Sequence, residues 1–229
     1  MVTILQYAEI ANAVYEKAVA FHPDGHLIRG WTMQREDWED GSILLGNGFQ
    51  GGIYQSETDV VVGFAGTKHL VGSDISADAR IATNILPNQC TSAYKMVLRA
   101  QEILGSRQLS CCGHSLGGGL AQVIGVWCGI PFVTFNAPPM KNAMRFAKVN
   151  IAKPHMMARS RGKDLDATQG INFRVEGDSV SWAGMKHVGR VIKLAKINGG
   201  FFSHSMDLCC ELIRAHADYS GKTILELSA

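Results

Sequence analysis

The stretch Gly113-His114-Ser115-Leu116-Gly117, preceded by Leu109-Ser110-Cys111-Cys112 and followed by Gly118-Gly119-Leu120-Ala121, constrains this chain more than any other. It reads as strand, sharp turn and helix, with a serine at the apex of a Gly-x-Ser-x-Gly nucleophile elbow. A serine held in a strained turn brings the residues two before and two after it together, and only the smallest side chains fit there. Gly113 and Gly117 meet that demand. Such a turn aims the Ser115 hydroxyl out of the sheet, while the start of the helix sets backbone N–H groups and positive dipole beside it. That setting suits an attacking serine and a developing oxyanion. The competing reading, a Gly-rich turn that binds phosphate, lacks the lysine and spacing of a P-loop.

A chain of 229 residues is long enough for one α/β domain with a real core and too short for two, so residues 1–229 are read as a single domain. With 46% hydrophobic and 18% charged residues and no apolar run able to span a bilayer, the composition is that of a globular chain without a transmembrane segment. Lys and Arg number 22 against 20 Asp and Glu, a balance that excludes a dedicated nucleic-acid binder. The cationic excess is local: Lys141, Arg145, Lys148, Lys153, Arg159, Arg161 and Lys163 follow one another without an intervening acid. This run is either a solvated face or a surface for anionic headgroups or an acidic protein. Residues 1–15 lack the charged start, apolar run and cleavage site of a signal peptide, which predicts a cytoplasmic protein or one exported without a cleavable leader. The six cysteines include two adjacent pairs inside apolar segments and read as buried thiols rather than a disulfide framework. They have no metal-ligand spacing, and His22 and His26 flank a Pro-Asp-Gly turn, so neither a metal nor a cofactor is expected.

Along the chain, Thr3 and Gln6 form a capping box, and Leu5, Ala8, Ala11, Val14 and Tyr15 give an amphipathic first helix expected to cover one edge of the sheet. Runs at 28–35, 49–55 and 60–64, separated by the acidic turns 36–41 and 57–59, predict antiparallel strands leading into the main sheet. The last of these ends at Ala65-Gly66-Thr67-Lys68, a loop at the C-terminal end of a strand, where Thr67 offers a hydroxyl and an N–H to an oxyanion. The apolar residues of 69–90 fit either a lid over a hydrophobic slot or ordinary core. A helix over 91–104 feeds the strand that carries Ser115, the helix 116–128 follows it, and strands at 131–136, 171–175 and 188–197 precede a last helix at 205–218. Met140, Met144, Met156 and Met157 read as core fillers, with an acyl-chain pocket as the alternative.

A serine hydroxyl needs a base within hydrogen-bond reach and a carboxylate to orient that base. On a strand–elbow–helix framework the partners follow the serine in the order acid, then histidine. Of the later histidines, His155 has no acid between it and the serine, His187 precedes a strand, and His216 lies within the last helix. His204 sits in a Gly-rich loop after the last strand. Asp178 directly follows a strand, and the turn at Gly177 favours it over Glu176; Asp164 and Asp166 lie in a charged loop, and Asp207 shares a helix with the histidine side of the site.

Residues 60–67, 113–121, 134–138, 172–180 and His204, taken together and in order, resemble the class 3 lipase family, the fungal triacylglycerol lipase-like α/β-hydrolases and their bacterial relatives. The likeness covers most of the chain. It implies an α/β-hydrolase fold, a mostly parallel central sheet flanked by helices with antiparallel strands at the N-terminal edge. It also implies lipase or phospholipase chemistry by Ser115, Asp178 and His204, an elbow of Gly113, His114 and Gly117, and an oxyanion hole from Thr67 and the N–H of Leu116. Ala65 stands where the family has arginine before Gly-Thr. The implied substrate is a lipid or phospholipid met in transient contact with a membrane surface, with no nucleic acid involved. Some bacterial relatives are phospholipase toxins delivered into rival cells, for which a protein inhibitor or immunity partner is expected. Two other readings keep the fold: a thioesterase or small-ester esterase, and a non-catalytic lipase-like binding module.

Overall fold

The computed structural model describes residues 1–15, 26–40, 47–66, 86–182, 186–195 and 204–228. Among them, nine strands form one sheet in the order β1-β2-β4-β5-β6-β7-β8-β9, with β3 paired to β4 beside this path. β1 (His26–Ile28), β2 (Trp31–Thr32), β3 (Trp38–Asp40) and β4 (Gln50–Gln55) pair antiparallel, and β4 pairs antiparallel with β5 (Asp59–Phe64). From β5 onward through β6 (Gln108–His114), β7 (Phe132–Phe135), β8 (Gly170–Val175) and β9 (Arg190–Leu194), every pairing is parallel. The sheet is therefore mixed, with the expected antiparallel strands at the N-terminal edge and a parallel half, β5 to β9, that carries the site.

Parallel strands need apolar cover on both faces. The helices are α1 (Ile4–Ala13), α2 (Gln89–Glu102), α3 (Leu116–Cys128), α4 (Lys141–Ala147), α5 (Pro154–Ser160), α6 (Met206–Ala215), α7 (Ala217–Ser220) and α8 (Ile224–Ser228). Successive strand side chains point to opposite faces, so Val61, Cys112 and Phe173 join α1 and α6 in one core. Val60, Val62, Phe64 and Cys111 join α2, α3 and α4 in the other. Met140, Met144 and Met156 are buried in this second core, as filler side chains should be. All six cysteines are free, and burial pushes the Cys90 thiol up to about 12, which leaves it unreactive.

Several elements depart from expectation. The capping box of Thr3 and Gln6 is present, but α1 lies across β6 and β7 near the middle of the sheet rather than along an edge. Its buried face is Ile4, Tyr7, Ala8, Ile10 and Ala11, whose alanines permit close approach, and the Tyr7 hydroxyl donates to Ser110 Oγ of β6 at 2.8 Å. The run 28–35 is not one strand: Gly30, at φ +82°, turns it into the β1–β2 hairpin. The acidic segment expected as a turn contains β3. Its charges have partners there, since Arg99 of α2 donates to Glu36 O and faces Glu39 at 3.8 Å, and Gln55 Nε2 donates to Asp37 at 3.1 Å. The last helix ends at Ala215, where His216 turns to extended backbone, so His216 stands at a break rather than inside a helix. The first of the acid-free cations, Lys141, is buried and paired with Asp166, so the basic run is not a uniformly solvated face. Side chains of His22 and His26 lie outside the described residues, as does most of 69–90; Leu86 and Cys90 of that stretch are core. No described helix is long and apolar enough to cross a membrane.

One residue registers the loops that matter. Asn136, just past β7, has φ +45°, a left-handed backbone that asparagine tolerates better than most side chains. Its Oδ1 accepts the Val175 N–H at 2.8 Å, its Nδ2 donates to Cys209 Sγ at 3.3 Å, and its own N–H donates to Phe173 O at 2.8 Å. The ends of β7 and β8 are thereby tied to α6. Asn136→Ala is expected to lower stability by about 2–3 kcal/mol, through the orphaned Val175 N–H and the strained φ. Asn136→Gly should recover the backbone part alone; urea denaturation of both variants measures the two contributions.

Candidate active site

The strained turn sits where the sequence places it. β6 ends at His114, α3 begins at Leu116, and Ser115 between them has φ +54° and ψ −131°. The two glycines are sterically required. A Cβ on Gly113 would stand 2.5 Å from the Gly117 carbonyl carbon, and one on Gly117 would stand 2.1 Å from the Phe64 carbonyl oxygen at the end of β5. The elbow is thus pressed against the neighbouring strand, and this contact fixes the direction in which Ser115 points.

Ser115 Oγ donates to His204 Nε2 at 2.8 Å, and His204 Nδ1 donates to Asp178 Oδ1 at 2.8 Å. All three residues singled out for this chemistry are brought into one hydrogen-bonded row. Asp178 follows β8 and is 1% exposed. Burial pushes its carboxyl up, but hydrogen bonds from His204 and from Ser181 outweigh that and hold it below the usual carboxylate range. The turn itself supplies backbone bonds to the carboxylate: Ser181 N–H donates to Oδ2 at 2.9 Å and Val180 N–H to Oδ1 at 3.3 Å. The carboxylate is therefore ionised, oriented and shielded. The row can draw the hydroxyl proton from Ser115 to His204 while Asp178 holds the tautomer that leaves Nε2 bare.

His114, the variable residue of the elbow, has a definite place. Its Nε2 donates to the His204 backbone carbonyl at 2.6 Å, and its Nδ1 accepts the Tyr15 hydroxyl at 2.9 Å. The Tyr15 oxygen in turn accepts the Gly66 N–H at 2.7 Å. Burial, reinforced by the neighbouring His204, pushes the His114 imidazole down to about 3, so it stays neutral and each ring nitrogen keeps one role. The sequence marks Tyr15 only as part of an apolar stripe, because nothing in the local pattern tells a buried phenol that packs from one that bridges two loops. Ser181 carried a weak signal as a hydroxyl three residues beyond Asp178, a common turn-capping interval.

For an oxyanion, Leu116 N–H lies at the first position of α3, upstream of Gly119 N–H, which makes the first bond back to Ser115 O. Gly66 packs within the same cluster; a Cβ there would meet the Tyr15 hydroxyl at 2.6 Å and Ser115 Cβ at 2.9 Å. Thr67 lies outside the described residues.

The buried neutral His114 links stability to pH. Unfolded, it takes up a proton as pH falls through 6.5, while folded it stays neutral to about 3, so the unfolded state gains protons first. Below pH 6.5 this residue should cost stability by up to about 1.4 kcal/mol per pH unit. His114→Gln is expected to flatten that slope, read as the difference in Tm between pH 7 and pH 5, relative to the parent protein.

Comparison with known proteins bears on the family and the fold. The family model described as Phospholipase-like, Tle-like phospholipase domain, matches residues 6–204. An extracellular phospholipase A1 from Serratia liquefaciens is 39% identical over 92 residues, a match that takes in 40% of this chain and 28% of the Serratia protein. Among solved structures, a mutant form of MDLA from Penicillium cyclopium superimposes with a TM-score of 0.54 at 14% identity, over 85% of this chain and 79% of that one. A Rhizomucor miehei lipase in its propeptide complex gives a TM-score of 0.50 at 14% identity, over 84% of this chain and 66% of that one. The fold is that of the α/β-hydrolase lipases, and the chain belongs to the Tle-like phospholipase domain family.

Proposed function

We propose that this protein hydrolyses carboxylic ester bonds of lipids, with phospholipids as the substrate class and Ser115, His204 and Asp178 as the catalytic residues. The carrying observation is the unbroken row Ser115 Oγ to His204 Nε2 and His204 Nδ1 to Asp178 Oδ1, each link 2.8 Å. Family membership and the Serratia phospholipase A1 support the phospholipid reading.

In the proposed reaction, Ser115 Oγ attacks the ester carbonyl as its proton passes to His204 Nε2, forming a tetrahedral intermediate. The oxyanion is met by the Leu116 N–H and by Thr67, beside the positive end of α3. Asp178 stabilises the imidazolium. Collapse expels the alcohol, lysophospholipid in the phospholipid case, which takes the proton from His204. Water, deprotonated by His204, then attacks the acyl-serine and releases the fatty acid. The elbow strain and the neutral His114 keep the serine and the His204 backbone in register throughout, so only the proton and the acyl group move.

Ser115→Ala should lower lipid hydrolysis by about a millionfold and abolish labelling by a fluorophosphonate probe. Asp178→Asn should cost about ten-thousandfold, because the wrong imidazole tautomer is then favoured. Mass spectrometry of mixed phospholipid and triglyceride vesicles after incubation reads both the loss and the products. Lysophospholipid and fatty acid are the expected products. Cleavage of short soluble esters or thioesters with no vesicle product overturns the lipid reading, and labelling of another serine overturns the triad.

A further inference from the structure

The cations between Lys141 and Lys163 take no direct part in the row around Ser115, yet the fold treats them in an unusual way. Lys141 pairs with Asp166. Among the described residues, Arg145, Lys148, Lys153, Arg159, Arg161 and Lys163 form no ion pair with a carboxylate. Several are instead held by neutral acceptors, while the single carboxylate of Asp166 is shared by Lys141, Arg145 and Lys186, so cations outnumber acids across this surface. Lys148 Nζ donates to Lys163 O at 2.7 Å, Arg161 Nε to Lys148 O at 3.4 Å, and the Arg159 guanidinium lies 4.3 Å from the Tyr94 ring centre. The positive field is built into α4, α5 and their connection rather than borne by loose side chains.

Within that field, three large apolar side chains face outward: Phe146 is 52% exposed, Val149 68% and Ile151 83%. Single exposed hydrophobics need no explanation, but three within six residues, flanked by cations and no acid, make an amphipathic surface. At the other end of α4, a cavity of about 540 Å³ is lined by Lys141, Arg174, Trp182 and Lys186, among others. Arg174 and Lys186 form no ion pair among the described residues, and Trp182 is 66% exposed. Both ends of α4 therefore combine free cations with exposed apolar or aromatic groups.

The surface also reaches the catalytic rim. Lys153 Nζ donates at 2.9 Å to Asn88 Oδ1, immediately before α2. Because α2 leads into the start of β6, its own beginning lies at the opposite end of the sheet, the rim at which β6 delivers Ser115.

We infer that this surface, the exposed apolar side chains of Phe146, Val149 and Ile151 set in a predominantly cationic field, seats the protein on anionic phospholipid membranes; the inference rests on the lipid-hydrolase reading above. Charge complementarity names the occupant. Lysine and arginine near an anionic leaflet are drawn to it, and Phe, Ile and Trp partition into the interfacial layer.

The test uses full-length Ser115→Ala protein, which does not consume the membrane, in flotation with vesicles of phosphatidylcholine alone or mixed with phosphatidylglycerol. Binding is expected to the mixed vesicles, to be weak on phosphatidylcholine, and to fall as salt rises. Adding Phe146→Ser and Ile151→Ser, or separately Arg145→Gln and Arg161→Gln, should weaken it about tenfold or more. The same pairs placed in the active protein should leave melting temperature and hydrolysis of a soluble short-chain ester unchanged while slowing vesicle hydrolysis. Vesicle binding that ignores both pairs overturns the inference. So does failure to bind either vesicle, which leaves an acidic protein as the partner for these charges. Because binding is read in the inactive protein, the two failures are told apart: loss of all ester hydrolysis in the parent strikes the functional reading, whereas loss of vesicle binding with soluble-ester hydrolysis intact strikes this one alone.

Discussion

The closest backbone contact in the site is the one between the start of α3 and the end of β5. Gly117 lies so near the Phe64 carbonyl that no Cβ fits between them, and Gly113 lies equally near Gly117. The contact does three things at once. It forces Ser115 into a backbone conformation that only surrounding structure can sustain. It sets the unsatisfied first N–H groups of a helix beside the serine. It also brings the loop after β5 against Ser115, since Gly66 has no more room for a side chain than the elbow glycines do. A pentad recognisable in one dimension is thus a packing constraint that joins two adjacent parallel strands, and the chemistry proposed for the site depends on that junction.

Around it, polar side chains work as fasteners between loops rather than as part of the core. Asn136 holds the ends of β7 and β8 against α6. Ser181 caps Asp178 from within its own turn. Thr134 donates to Asn172 at 2.7 Å, and Asn172 donates on to Val188 O at 2.7 Å, so the sheet is also stitched laterally beneath the rim. Not every buried polar atom is matched in this way: among the described residues, Trp38 Nε1, Tyr54 Oη and His187 Nδ1 are buried without a hydrogen-bond partner. The bonds that are made hold the ends of β7 and β8 and the Asp178 turn in place, which is what a reaction needing a 2.8 Å row of three side chains requires.

What was legible in the sequence followed from local geometry. The elbow, the buried strands on either side of it and the order acid then histidine all carry short-range signatures, and the structure brings Ser115, Asp178 and His204 together. Elements whose fate is decided by distant partners were less legible. Within the acidic stretch at 36–40, residues 38–40 pair as a strand, with Arg99 facing Glu39 and Gln55 donating to Asp37, partners no window around the stretch contains. The first helix crosses the sheet centre rather than an edge because Tyr7 finds Ser110, 103 residues away. Tyr15 was invisible as a site residue for the same reason: its role exists only once Gly66 and His114 have arrived.

That phenol has a consequence for the life of the chain. Tyr15 lies just past the first helix, Gly66 follows the fifth strand, His114 opens the elbow, and His204 precedes one of the final helices. Four segments spread over nearly the whole length must meet before the base faces the serine, and such distant contacts form late. A polypeptide emerging from the ribosome carries its nucleophile long before it carries its base. The row of Ser115, His204 and Asp178 is complete only once residues 204–215 have docked against the first helix. The fold itself thus sets the moment at which such a site is armed.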